Sequence, residues 1–180
     1  MSHVRKLSPK TLFVAYVATS IDGRIAENTH SEIGWTSKED WYFFQKSLKK
    51  FDAVVVGHNT YKVFRDNLSK RNSIVFTRYA NKPRLSGSVA FFNPQKYDFK
   101  KFIKNHNYKK IAVLGGPKVY DFFLKGGMLD ELFVTIEPHV FTAGVPMFSG
   151  AKFKKYKFSL LSVKRLNKKG TLLLKYKNAN

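Results

Sequence analysis

The first long apolar segment, Leu12 to Thr19, is rich in β-branched residues and of strand length, which predicts a buried strand. The period then changes. From Ser37 to Lys49 the apolar positions Trp41, Phe44 and Leu48 recur at helical spacing, predicting an amphipathic helix behind a loop from Glu27 to Gly34. Ala53 to Gly57 predicts a second buried strand, and Asn59 leads into a short helix from Thr60 to Arg65. Ser73 to Thr77 and Val89 to Phe92 predict strands, and Asp98 to Asn105 a helix. Strand Ile111 to Leu114, helix Pro117 to Leu124 and strand Glu131 to Glu137 follow. This alternation predicts a three-layer α/β/α domain, its mainly parallel sheet covered on both faces. The end of the chain departs from it. Phe158 to Leu166 and Thr171 to Tyr176 flank Asn-Lys-Lys-Gly, which predicts an antiparallel hairpin at the edge of the sheet.

Composition adds bounds. No repeat or low-complexity linker divides residues 1–180, so one domain is expected. With 43% hydrophobic and 16% aromatic residues the chain is too apolar for disorder, and no apolar run is long enough to span a bilayer. The first residues, with His3, Arg5, Lys6 and Lys10, lack the apolar stretch of a secretory leader, and a cytoplasmic location is the expectation. Cysteine is absent, which removes disulfides and thiolate metal sites. His3, His30, His106 and His139 are too dispersed to suggest a metal site, and none is expected. The net charge of +21 favours anions and steers phosphorylated ligands, but the lysines are scattered and no recognition motif accompanies them. No specific nucleic-acid partner is expected.

The chemistry concentrates where strands hand over to helices, the place where ligands bind such sheets. Gly115 and Gly116 allow close approach of backbone to a ligand, and Pro117 suits the first turn of a helix whose free amides favour a phosphate. Gly57-His58-Asn59-Thr60 has the same form, with Asn59 or Thr60 as cap and anion contact. A plain tight turn explains either segment equally well, and neither spells a dinucleotide fingerprint or a Walker loop. Asp40 also has two readings. With Ser37 three residues earlier it fits a capping box; among Trp35, Trp41, Phe43 and Phe44 it fits a partly desolvated acid able to protonate a basic heterocycle.

Taken together, these residues resemble dihydrofolate reductase and its sister, the reductase domain of riboflavin biosynthesis (the RibD C-terminal domain), over most of the chain. Ala18-Thr-Ser-Ile-Asp22-Gly-Arg-Ile25 is similar to the first strand and loop of both, where backbone near Ala18 and Ile25 would hold a nicotinamide amide. Trp35, Asp40 and Phe44 stand at the spacing of the active-site tryptophan, acid and pterin-stacking aromatic. Gly57, His58, Asn59 and Thr60 resemble the turn on the cofactor, Thr77 and Arg78 the pair beside the adenosine 2′-phosphate, and Arg71 the arginine that holds the folate carboxylate. Leu114, Gly115, Gly116, Pro117, Lys118, Val119 and Tyr120 resemble the Gly-Gly turn, often joined by a cis peptide, and the pocket tyrosine. Thr135 falls where the family hydrogen-bonds its acid. Leu129-Asp-Glu-Leu132, Pro138 and Gly144-Val-Pro-Met-Phe148 are closer to the riboflavin-pathway enzymes, whereas Phe64-Arg-Asp-Asn-Leu68 replaces those enzymes' Asp-Asp-Pro-x-Leu-Thr.

The resemblance implies NADPH-dependent hydride transfer to a small heterocycle of pterin or ribosylaminopyrimidine type. Asp40, Thr135 and Trp35 would be the catalytic group, the last beside a water, and Asp22, Phe44 and Arg71 would contact substrate. Arg78 with His58 suits a 2′-phosphate, favouring NADPH over NADH. Asn93-Pro-Gln and the 27–34 loop would rim the pocket. The other reading is a catalytically silent basic domain that binds polyanions or nucleic acid. Leu160, Leu161, Leu172 and Leu174 in the hairpin suit either a second subunit, giving a homodimer, or an internal core.

Overall fold

The computed structural model describes residues 10–28, 34–150 and 153–179. His3, His30 and most of the 27–34 loop lie outside them. The order is β1 (Leu12–Thr19), β2 (Arg24–Ala26), α1 (Lys38–Leu48), β3 (Ala53–Gly57), α2 (His58–Val63), α3 (Arg65–Leu68), β4 (Ser73–Phe76), β5 (Arg84–Ser86) and β6 (Val89–Phe92). Then come α4 (Phe99–Asn105), β7 (Lys110–Val113), α5 (Pro117–Lys125), β8 (Glu131–Ile136), β9 (Val145–Pro146), β10 (Phe158–Arg165) and β11 (Leu172–Asn178). Nine strands form one sheet in the order β10-β11-β8-β1-β7-β3-β4-β6-β5. The pairings from β8 through β6 are parallel, while β10, β11 and β5 add antiparallel edges, so the expected sheet and closing hairpin are present.

Strand alternation divides the core. Val54, Val56, Val14 and Val75 face α1, α2 and α3 through Leu48, Tyr61 and Leu68. Ala53, Val55, Ala15 and Ile74 face α4 and α5 through Phe99, Ile103 and Phe123. Helices therefore cover both faces, as the continuous apolar strands require. No helix among the described residues is long and apolar enough to cross a membrane.

The structure departs from the expected elements in places. Trp41 is half exposed, because the inward face of α1 begins at Asp40 and runs through Phe43, Phe44 and Leu48. Gly57 caps α2, so Asn59 and Thr60 lie inside the helix rather than at its cap, and His58 is its first residue. The helix expected from Thr60 to Arg65 is broken at Phe64 into α2 and α3. Short β5 and the β2–β9 ribbon carry too few residues for a periodic signal. In the hairpin, Leu160 and Leu161 are exposed, Leu173 is buried, and Phe158 and Tyr176 pack against the core.

Candidate functional site

The carboxyl ends of β1, β3, β4, β7 and β8 open on one cleft of about 1170 Å³. Register sets its walls: Ala18 lies beside Thr135 and Gly57 beside Phe76, while Leu114 N–H donates to Val55 O at 2.9 Å. Asp40, only 9% exposed, enters from the first turn of α1 and is the single carboxylate among the described lining residues. Thr135 Oγ1–H donates to Asp40 Oδ1 at 2.5 Å. Ser37 Oγ caps α1 by accepting Asp40 N–H at 3.3 Å. Ser37's own amide donates to Glu137 Oε1 at 2.7 Å, so the reciprocal half of a capping box is made by Glu137 and Asp40's carboxylate is left to the cleft. Burial, and secondarily the charge of Glu137, push Asp40 above the ordinary carboxylate range, against the opposing hydrogen bond from Thr135.

The aromatic wall beside this acid is built from β1, α1 and β8. Tyr16 stacks on Phe133 at 4.9 Å, and Phe43 and Phe44 lie about it at 6.1 Å. Burial raises the Tyr16 phenol, keeping that wall neutral. Trp35 stands outside the cleft lining: its ring meets Phe141 edge-on at 4.9 Å, and its buried indole N–H has no partner among the described residues.

Two glycine turns form the opposite wall. The Gly115–Gly116 peptide is cis, and Gly115 O accepts Gly57 N–H at 2.7 Å, joining the turns. Gly115 has φ +93°, and a Cβ there would stand 2.7–2.9 Å from the Tyr120 ring, so it lies behind the wall while Gly116 faces the cleft. Tyr120 is itself buried, its hydroxyl donating to Tyr16 O at 2.6 Å; burial holds the phenol far above its ordinary range. Pro117, Lys118, Val119 and Tyr120 line the cleft from α5.

The remaining assignments divide. Ala18, Ile25, Gly57, His58, Asn59, Thr60, Thr77, Arg78, Leu114, Phe44 and Arg71 all line the cleft, as do Asn93, Pro94 and Gln95. Asp22 does not. Its carboxylate accepts Ser20 Oγ–H at 2.6 Å and the amides of Phe141 and Thr142 at 3.0 Å, stapling the turn after β1 to the 139–142 segment. Those bonds hold it below the ordinary carboxylate range. His58 is lowered, first by burial and then by Lys62, which favours the neutral ring.

Several further residues line the cleft, among them part of the Gly144-Val-Pro-Met-Phe148 segment. Lys70 stands beside Arg71, and Gly144, Val145, Pro146 and Ser149 form a strap over the cleft. Ser149 anchors that strap to α5 through a 2.7 Å bond to Asp121. Glu137 carries no motif and reads as the end of a strand; its one signal is its place two residues beyond Thr135, on the same face.

The profile of the dihydrofolate reductase family matches residues 13–177. YwjB of Bacillus subtilis, an uncharacterized protein, is 28% identical over 143 residues, spanning 75% of this chain and 81% of YwjB. Among solved structures, Acinetobacter baumannii RibD superposes with a TM-score of 0.77 at 17% identity over 95% of this chain and 59% of its own. Dihydrofolate reductase from Enterococcus faecalis, complexed with NADP(H), gives 0.66 at 19% identity over 97% of this chain and 100% of its own.

Proposed function

Because the chain belongs to the dihydrofolate reductase family, we propose that it is an NADPH-dependent reductase acting on a pterin-like or ribosylaminopyrimidine heterocycle. The observation that carries this reading is the lone, desolvated Asp40 held by Thr135 at one end of a cleft whose other walls are glycine turns and cations. The residues fit a dinucleotide: no atom lies within 4 Å of where a Gly116 Cβ would stand, and Pro117 begins α5, whose N-terminal dipole at the cleft favours a phosphate. When bound, NADPH supplies a hydride with its electron pair to a C=N carbon and leaves as NADP⁺.

Asp40 orients the heterocycle and, with a pKa raised by burial, keeps a proton available for the C=N nitrogen. Thr135 fixes which carboxylate oxygen faces the cleft. Phe44, Phe43 and the Tyr16–Phe133 stack keep water from the reacting atoms. Ala18, Ile25, the glycine turns and Arg78 with Thr77 all line the cleft, and they would hold, in turn, the nicotinamide amide, the diphosphate and the 2′-phosphate. His58, favouring its neutral form, serves there as a hydrogen-bond donor before it serves as a charge. Lys70 and Arg71, which line the same cleft as Phe44, suit an anionic tail on the substrate.

The test is NADPH oxidation against dihydrofolate and against phosphoribosylaminouracil, run side by side, with NADPH-induced thermal stabilisation measured in parallel. Turnover of either substrate with saturable NADPH supports the proposal. Neither turnover nor stabilisation, together with duplex binding that survives above physiological salt, would give the chain to the polyanion-binding reading.

A further inference from the structure

Glu137 is 2% exposed, yet it forms none of the ion pairs found among the described residues and stands outside the cleft lining. It lies two residues beyond Thr135, so both side chains leave the same face of the strand end and both reach the first turn of α1. Thr135 takes Asp40 Oδ1 at 2.5 Å, and Glu137 Oε1 takes the Ser37 amide at 2.7 Å. Its second oxygen accepts Thr171 Oγ1–H at 2.6 Å. Asn167 completes the tie, donating to Thr171 Oγ1 at 2.9 Å and to Glu39 Oε2 at 3.2 Å. Glu137 thus joins three elements distant in sequence: the helix that carries the acid, the strand that orients it and the turn of the closing hairpin.

We propose that Glu137 is a positioning residue: it docks the N-terminus of α1 on the end of β8 and so holds Asp40 against Thr135 at the cleft wall. The inference deepens the reductase reading and takes its catalytic meaning from it. A neutral acceptor would satisfy the Ser37 amide at lower desolvation cost, so a buried carboxylate at this place calls for a second role. Its charge supplies one, since a negative group behind Asp40 favours the protonated acid. The other ionisable groups around the start of α1 are Lys38 and Glu39 on the helix, His139 after β8 beside Trp35, and Lys168 and Lys169 in the hairpin turn. Of all these, Glu137 is the one whose charge raises Asp40.

The experiment is a carbon-detected NMR titration of labelled aspartate in the whole chain, with Asp40→Asn used to assign the Asp40 signal. Alongside it go hydrogen exchange at the Ser37 amide and the pH profile of turnover. In Glu137→Gln, which keeps an acceptor and removes the charge, Asp40 titrates at lower pH while the Ser37 amide stays protected. The alkaline limb of kcat moves the same way. In Glu137→Ala the Ser37 amide exchanges faster and kcat falls more than KM rises. A Ser37 amide that exchanges no faster in Glu137→Ala overturns the proposal; if that variant does not fold, a Ser37 amide equally protected in the milder Glu137→Ser does so, and an Asp40 titration unmoved in Glu137→Gln removes the electrostatic role. The titration needs no substrate. A Ser37 amide that exchanges faster in Glu137→Ala, in a protein without turnover, would uphold the positioning role and sink only the reductase reading.

Discussion

Adjacent glycines in the turn before α5 should respond in opposite ways to one methyl group. Gly115 holds φ +93°, which costs an alanine about 1–3 kcal/mol. Its Cβ would also meet the Tyr120 ring at 2.7–2.9 Å. That ring sits in a close-packed interior with its hydroxyl bonded to Tyr16 O. Moving it either overpacks the core, at about 1–3 kcal/mol, or strands a buried carbonyl, at about 1–3 kcal/mol. Gly115→Ala therefore loses about 2–6 kcal/mol, and for 180 residues that lowers Tm by on the order of 10 °C. Gly116, at φ −77° with no atom within 4 Å of the added Cβ, accepts alanine within about 1 kcal/mol. Its methyl points into the cleft, so the loss falls on NADPH-induced stabilisation instead. Calorimetric melting with and without NADPH separates the two. A Gly115→Ala protein that melts like the parent, or equal destabilisation by both substitutions, would refute this account of the turn.

Asp40→Asn should cost about 10²–10⁴ in turnover at a preserved fold and also change stability with a definite sign. Because the native pKa is raised, the carboxylate penalty is absent below the ordinary carboxylate value, grows as pH rises through the native value, and is complete above it. The variant should then melt higher than the parent at alkaline pH and alike in strong acid; a gain confined to acid would reverse the argument. Arg78→Glu should weaken NADPH far more than NADH in equilibrium titrations, and equal weakening would remove Arg78 from the 2′-phosphate. Asp22→Ala should speed amide exchange at Phe141 and Thr142, the two donors it holds. In the parent that protection, tied to a lowered pKa, is present above the ordinary carboxylate value and is lost as pH falls through the native one. Protection at both amides that survives the substitution would assign the staple elsewhere.

Much of the fold was legible because strands and helices are local. The run Leu12 to Thr19 is buried as β1, and the Val-Val-Val of β3 serves both faces of the sheet. The order of strands and helices then implied a mainly parallel sheet, and the place where such sheets bind ligands brought Gly57, Gly116 and Asp40 into one expectation. Local periodicity speaks only for segments long enough to show it. Three-residue β5 and the β2–β9 ribbon lay beneath that limit, and the break at Phe64 left no mark in the pattern.

What the sequence alone determined, then, is which segments become strands and helices and which turns can approach a ligand, since these depend on neighbours a few positions away. Asp40's choice between capping its own helix and facing the cleft was open at that level. It was decided by Glu137, 100 residues from Ser37, taking the amide a capping box would have used. Asp22 went the other way, its oxygens claimed by amides about 120 positions on. Such assignments belong to tertiary structure because a carboxylate bonds whichever donor the topology brings within about 3 Å, and only the folded chain fixes which donor that is.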